Sequence, residues 1–362
     1  MRRRTFNKLL GATAATAVLG RSGLLRADEP FKAGFIYVGP VADYGFSHQH
    51  DEGRKQAQET LGDKIKTTFV ESVKEGPDSE RVIHELAASG NGIIFTTSFG
   101  FMNPTIKVAK DFPKVYFEHC TGYKRADNVA TYNIRFYEGR YIQGQIAAKM
   151  SKSGVLGYIV SFPIPEVIMG INATMLGAQT VNPNIKVKII WVNTWFDPGK
   201  EADAAKALLD QGADVIMQHT DSPAAMKIAA ERGKLAVGQD SEMIKFGPTT
   251  QLTSIIDNWA PYYIARVKAE LDGTWKEEDT WGGLKSQMVV MAPFTNMPDD
   301  VKKLAEDTKA AIIDGKLLPF KCPVVDQDGK TVECKGGDHL DDGQVLGMHF
   351  YVKGVDDKMP AK

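Results

Sequence analysis

From position 31 onward, short apolar runs alternate with longer stretches of helical periodicity. The first run, 33–38, leads into a loop at 39–45 and a helix beginning near 46 and closed by Gly62. Strands are expected at 64–71, 92–96, 114–120 and 128–133, with helices at 78–89, 104–111 and 136–150 between or after them. The pattern then restarts. It gives strands at 155–160, 186–191, 214–218, 235–237 and 252–256, and helices at 166–181, 199–211, 223–232 and 259–271. A strand at 286–291 and a helix at 298–314 precede a turn-rich tail with little helix signal. Strand–helix alternation of this kind implies an α/β fold with parallel sheets and right-handed crossovers. Two successive sets of similar size imply two lobes. We expect 31–133 with 257–284 in the first, and 134–256 with 285–354 and the tail in the second.

Residues 1–27 stand outside this pattern. Arg2, Arg3 and Arg4 precede an apolar, alanine-rich run from Leu9 to Leu19, and Ala27 offers a small residue for cleavage. A basic start, a short apolar stretch and a small residue make an export signal rather than a spanning helix. The Arg-Arg-x-Phe-x-Lys pattern from Arg3 to Lys8 is the twin-arginine address. The expected product, cleaved near Ala27, is a periplasmic protein. No Cys near that point would carry a lipid anchor.

Composition then narrows the function. The 362 residues are 43% hydrophobic and 25% charged, ordinary values for a globular protein with room for two domains. The formal charge is −1, and removing 1–27, with its six basic and no acidic residues, takes it to −7. A mildly acidic exported protein is not a nucleic-acid binder on electrostatic grounds. Of the three cysteines, Cys322 and Cys334 flank a turn at Asp328-Gly329. Strands paired about that turn bring the two sulfurs opposite each other, so a disulfide is expected in an oxidising compartment. Cys120 is left over. No metal-ligand spacing accompanies these residues.

In open α/β sheets, ligands bind at loops that follow the carboxyl ends of the strands. Those loops hold Asp43, Tyr44, Phe46 and Ser47 after the first strand, Ser98 and Phe99 after the third, and Glu118-His119 at the end of the fourth. In the second set they hold Trp195, Phe196 and Asp197, then His219, Thr220 and Asp221, then Asp240 and Asp257. Aromatic rings flanking a cleft with carboxylates at the edge suit a flat heterocycle bearing N–H donors, although a sugar site can use the same combination. Asp197, just before Pro198-Gly199, reads as a helix N-cap rather than a contact. Glu138 reads as a first-turn helix acid. Asp240, after a buried strand, is costly there unless it has a function or a partner. His219 and Asp221 serve equally well as a structural pair, a helix cap or contacts. The first loop lacks the glycine fingerprint for a pyrophosphate, and there is no nucleophile elbow, zinc-protease helix, P-loop or Cys-x-x-Cys pair. No cofactor is expected, and an enzyme such as a nucleoside hydrolase stands only as an alternative.

The motifs together resemble the basic membrane protein family, the solute-binding components of bacterial ABC importers for purine nucleosides and related compounds. The resemblance runs from about Lys32 to Gly354. It is carried by D-Y-G-F-S at Asp43 to Ser47, N-I-R-F-Y-E-G at Asn133 to Gly139 and W-F-D-P-G-K at Trp195 to Lys200. V-G-Q-D at Val237 to Asp240, L-T-S-I-I at Leu252 to Ile256 and the run from Pro319 to Gly329 complete it. It implies a type I periplasmic binding protein, two α/β lobes joined by a hinge, that passes its ligand to an ABC permease in the inner membrane. It implies that Phe46 and Trp195 sandwich a purine, with Asp240 and Asp43 as the binding acids. Tyr44, Ser47, Phe99, Asp221 and Asp257 complete the expected ligand set. Ser47 stands where the family has Asn, and His219 to Ser222 replace a glycine-rich stretch. Asp257-Asn258 replace a Lys that reaches the sugar, which weakens the case for a ribose and favours a free base such as adenine. A sugar, a flavin or a signalling molecule remains the alternative ligand.

Overall fold

The computed structural model describes residues 29–360. The expected export signal therefore lies outside the described residues.

Two six-stranded sheets form the core of the molecule. The first is built from β1 (Phe31–Ile36), β2 (Ile65–Val70), β3 (Ile93–Thr96), β4 (Tyr116–Cys120) and β5 (Val129–Ile134). Three helices connect them: α1 (Phe46–Leu61), α2 (Pro77–Ala88) and α3 (Met102–Asp111). The chain leaves through α4 (Phe136–Met150) for the second sheet, made of β6 (Val155–Val160), β7 (Lys186–Trp191), β8 (Val215–His219), β9 (Leu235–Gly238) and β10 (Gln251–Asp257). Here α5 (Pro165–Gln179), α6 (Pro198–Asp210) and α7 (Ala224–Glu231) are the crossovers. It returns through α8 (Ala260–Leu271) to β11 (Asp279–Gly282), and crosses once more to β12 (Val289–Met291) and α9 (Asp299–Ile313). A short helix, α10 (Asp342–Leu346), lies in the tail.

The strand orders are β11-β5-β4-β3-β1-β2 and β12-β10-β9-β8-β6-β7. All pairings in the first sheet are parallel; in the second only β12 runs antiparallel, against β10. Parallel strands are covered by helices on both faces and therefore read as continuous apolar runs. β3, β5 and β8 are buried along their whole lengths. The chain passes between the sheets after β5, after β10 and after β11, so the ends of β5 and β10 sit at the junction of the two lobes. At the first crossing α4 packs closely on α5. A Cβ at Gly144 would overlap the carbonyl of Thr174, and one at Gly177 that of Tyr141, so only hydrogen fits at this contact.

The α/β class and the two parallel sheets agree with the sequence pattern. The differences lie at its weak points. β11, with sequence DTWG, is too short and polar to announce a strand, yet it joins the edge of the first sheet beside β5. The strand expected at 286–291 is confined to Val289–Met291. In the tail, α10 is nucleated by a capping box between Asp341 and Gln344. Cys322 and Cys334 are bonded, with Cα atoms 6.5 Å apart. The expected hairpin between them is reduced to an isolated Val325–Thr331 bridge around Gly329, which has φ 81°. The tail packs on the second lobe: Val355 bridges to Val187, and Asn172 of α5 holds the backbone of Phe350 and Val352 at 2.7 and 3.0 Å.

Candidate functional site

The carboxyl ends of the two sheets face each other, and their loops touch. Gly45 N donates to Ser241 Oγ at 2.8 Å, and Gln49 Nε2 donates to the same oxygen at 3.2 Å. At the outer rim Lys245 Nζ pairs with Asp43 Oδ2 at 3.2 Å, and the Tyr44 ring meets Phe246 edge-on with centroids 5.2 Å apart. The lobes thus meet around a cavity lined from both sides.

Four aromatic rings reach this cavity: Phe46, Phe99, Phe136 and Trp195. Phe46, in the first turn of α1, is braced by edge contacts with His50 and Trp259, centroids 4.3 and 6.0 Å away. Trp195, in the loop after β7, is braced by Phe162 at 5.2 Å. The Trp195 Nε1–H and His219 Nδ1 are buried and have no protein partner. A buried donor or acceptor left unpaired costs on the order of 1–3 kcal/mol, so both are groups a ligand would satisfy.

Three acids line the same cavity: Glu166, Asp221 and Asp240. Asp240 follows β9 with φ 59°, a left-handed conformation uncommon for a non-glycine residue and frequent at functional sites. Burial pushes its carboxyl up to about 7, against the pull of the Arg140 guanidinium. Asp221 is raised well above the usual carboxylate range by burial, then by the charges of Asp240 and Glu201. Asp257, 1% exposed, is raised in the same way by burial and by Asp240, Glu166 and Asp221, and neither of its oxygens has a hydrogen-bond partner. Close-set buried carboxyls cannot all ionise together without a compensating ligand. Arg140 is their buried counter-charge, tied to Gln143 at 3.0 Å and to Gln239. Glu166 accepts from Asn133 Nδ2 at 3.1 Å, with His219 Nε2 at 3.7 Å from its other oxygen. Burial holds the His219 imidazole below its ordinary value, so it is neutral near pH 7.

The loops are fixed from behind by Glu201 of α6. Its oxygens accept from Asp197 N at 3.0 Å and Ser222 N at 3.1 Å, while Asp221 N donates to Trp195 O at 3.0 Å. Burial raises the Glu201 carboxyl to about 7 despite these bonds. Asp197 caps α6, accepting from Gly199 N and Lys200 N at 3.1 Å each. Glu138, also expected to be structural, accepts from Leu284 N at 2.7 Å and so ties α4 to the segment after β11.

Of the residues expected to bind a ligand, Phe46, Phe99, Trp195, Asp221 and Asp240 come together on the cavity wall. Four lie off it. The Asp43 side chain is 82% exposed and spends its charge on Lys245 at the rim. Tyr44 lies beside it, against Phe246. Ser47 turns back to accept from Gly39 N at 3.1 Å, which shapes the first loop. Asp257 adjoins Asp240, donating its N–H to the Asp240 carbonyl at 2.9 Å. Phe136, Glu166 and Thr121 were missed. Phe136 follows β5 and obeys the same strand-end rule as the others, but it reads first as the opening of α4. Glu166, after Pro165, reads as a first-turn helix acid. Among the described residues, no group of three potential metal ligands is present and no helix is long and apolar enough to cross a membrane.

The family model for PnrA-like ABC transporter substrate-binding proteins matches residues 31–321. A purine-binding protein of Brucella abortus is 62% identical over 349 residues, covering 96% of this chain and 99% of that protein. A protein of Haloferax volcanii, provisionally named an ABC transporter glucose-binding protein, is 37% identical and covers 92% of this chain and 82% of its own length. Among solved structures, an ABC transporter solute-binding protein from Aeropyrum pernix superposes with a TM-score of 0.69 at 21% identity, over 80% of this chain and 93% of the other. That likeness gives the fold: the two-lobed type I periplasmic binding protein.

Proposed function

The chain belongs to the family of PnrA-like ABC transporter substrate-binding proteins, and from that premise we propose that it captures a purine, a free base such as adenine, between Phe46 and Trp195. Its family and named relatives are solute-binding proteins, not enzymes, and a substrate-binding protein of an ABC system serves a small-molecule ligand and a permease. The rest is our reading. The mature protein works in the periplasm after cleavage near Ala27, and lobe closure reports occupancy to an inner-membrane permease.

One observation carries the choice of ligand. Four aromatic rings and three acids converge on one cavity between the lobes whose lining holds no Lys or Arg. The rings supply faces for stacking, and the carboxyls accept from ring N–H and amino groups. The lack of a cation disfavours a phosphate. Asp257-Asn258, standing where the family has a Lys that reaches the sugar, favours a base over a nucleoside. A second reading, a sugar, rests on the Haloferax relative's name and on the fact that rings and acids also serve sugars.

Titration calorimetry with adenine, adenosine, guanosine and glucose tests this. Adenine is expected to bind most tightly. Adenosine binding much more tightly than adenine would overturn the free-base assignment, and glucose binding in the absence of any purine binding would overturn the purine. Small-angle scattering with and without adenine tests the clamp: an unchanged envelope would rule it out.

A further inference from the structure

The purine cavity is not the only space in the cleft. A second chamber adjoins it. Phe99, Thr121 and Glu166 line both spaces, so the two meet at these side chains. The far walls come from three parts of the chain. The first lobe supplies Tyr123 and Trp281, α5 of the second lobe supplies Met169, and the tail supplies Leu346.

The character of this chamber differs from that of the cavity. Most of its polar side chains are already engaged. Asn133 donates to Glu166 at 3.1 Å and accepts from Ile134 N at 2.7 Å; Thr121 Oγ1 donates to the carbonyl of Cys120 at 2.7 Å. Asp279 is held by Thr131 at 2.7 Å and Arg125 at 3.1 Å. What remains free is apolar apart from the Tyr123 hydroxyl: Ile164, Pro165, Met169, Leu346 and the ring faces. The walls are fixed. The Arg135 guanidinium stacks over Trp281 at 4.1 Å and grips Asp342 of α10 through two bonds of 2.7 and 3.0 Å, so one side chain sets both the ring and the tail helix. Trp281 Nε1 in turn donates to Ile134 O at 3.1 Å.

We infer that the site accepts purines carrying an apolar substituent, with the ring in the first cavity and an alkyl or aryl group in the adjoining chamber. The inference rests on the purine reading above. An apolar group entering the chamber gains from leaving water and leaves few new polar groups unpaired. A polyhydroxylated group would find most of its potential partners already bonded. The chamber is thus a selectivity element for the substituent, separate from the ring-binding residues, and the tail helix is one of its walls.

The test is calorimetry with adenine and with adenine bearing a benzyl group at N6, at C8 or at N9. At least one isomer is expected to bind within about tenfold of adenine. Leu346→Trp, at a half-exposed position on the tail wall, narrows the chamber without touching the purine cavity. The ratio of that isomer's Kd to adenine's is expected to rise by about tenfold or more in Leu346→Trp, and again in the independent variant Ile164→Phe. If all three isomers bind more than about tenfold more weakly than adenine, or the ratio is unmoved in both variants, the inference is overturned. Absence of adenine binding in the unaltered protein would instead strike the purine reading itself.

Discussion

Gly45 N donates to Ser241 Oγ across the cleft at 2.8 Å, so the backbone of the first-lobe loop latches directly onto the second lobe. Gly45 has φ 88°, a conformation that a side chain disfavours, and a Cβ there would stand 2.9 Å from both Cβ and O of Asp221. Below 3.0 Å something must shift, and one of the obstructing atoms is backbone. The least costly shift is to part the lobes. Gly45→Ala is therefore expected to weaken adenine binding by about tenfold or more, with about 1 kcal/mol lost in fold stability from the strained φ. Calorimetry and scattering check it: the variant's envelope should stay open with adenine present. Unaltered affinity would mean that this contact is not part of closure.

The proposed stacking of the ligand between Phe46 and Trp195 gives a second prediction. Truncating a ring that stacks on a base costs about 1–3 kcal/mol, or about 5- to 150-fold in Kd. Phe46→Ala and Trp195→Ala are each expected to fall in that range. Trp195→Phe separates two contributions. It keeps a ring but removes the unpartnered Nε1–H, and a lost hydrogen bond of about 1 kcal/mol corresponds to about fivefold. Equal affinity for Trp195→Phe and the unaltered protein would show that the indole N–H meets no ligand atom.

The rule that ligands sit at strand ends reached Phe46, Phe99, Trp195, Asp221 and Asp240 from the sequence because each follows an apolar run that announces its strand. It did not place Asp43, Tyr44, Ser47 or Asp257 on the cavity wall, since position in a loop or at a strand end does not say which way a side chain turns. Ser47 spends its hydroxyl on Gly39 N, and Asp43 meets a charge 202 residues away. Phe136 and Glu166 were hidden because each opens a helix, where an aromatic and an acid have ordinary structural readings. β11 was illegible for a different reason. Its four residues are held by pairing with β5, a long-range contact that no local pattern encodes. The tail wall of the second chamber depends on Arg135 meeting Asp342, which is likewise a tertiary fact.

Asp257 gives a prediction about pH. Burial and the neighbouring acids raise its carboxyl well above the ordinary 3.8, so between those two values the folded protein binds a proton that the unfolded chain has released. Stability from this group is therefore fully present below about pH 3.8 and is lost as pH rises through the folded value. Asp257→Asn removes the titration. In ligand-free protein its melting temperature relative to the unaltered chain should be highest near pH 8 and should decline as pH falls toward 4. The comparison between the two proteins at each pH matters, because the buried imidazoles of His50, His119 and His219, all lowered by burial, act in the opposite direction in both. A difference that stays flat from pH 4 to 8 would mean that Asp257 is not held as a protonated acid.

The Cys322–Cys334 bond separates stability from binding. It closes a loop of 12 residues' separation in a tail attached to the second lobe through Asn172 and Val187. In the chain-entropy model a loop of about this length restricts the unfolded chain by about 3 kcal/mol. No residue beyond Asp240 lines the cavity between Phe46 and Trp195, so the tail supports the lobe without touching it. Replacing both cysteines with serine should lower the unfolding free energy by about 2–3 kcal/mol, read from denaturant titration in urea. Adenine affinity should hold within about threefold, whereas the benzyladenine ratio, which depends on the placement of Leu346, should move further than adenine does. A loss of adenine affinity as large as the loss of stability would show that the tail takes part in closing the cleft itself.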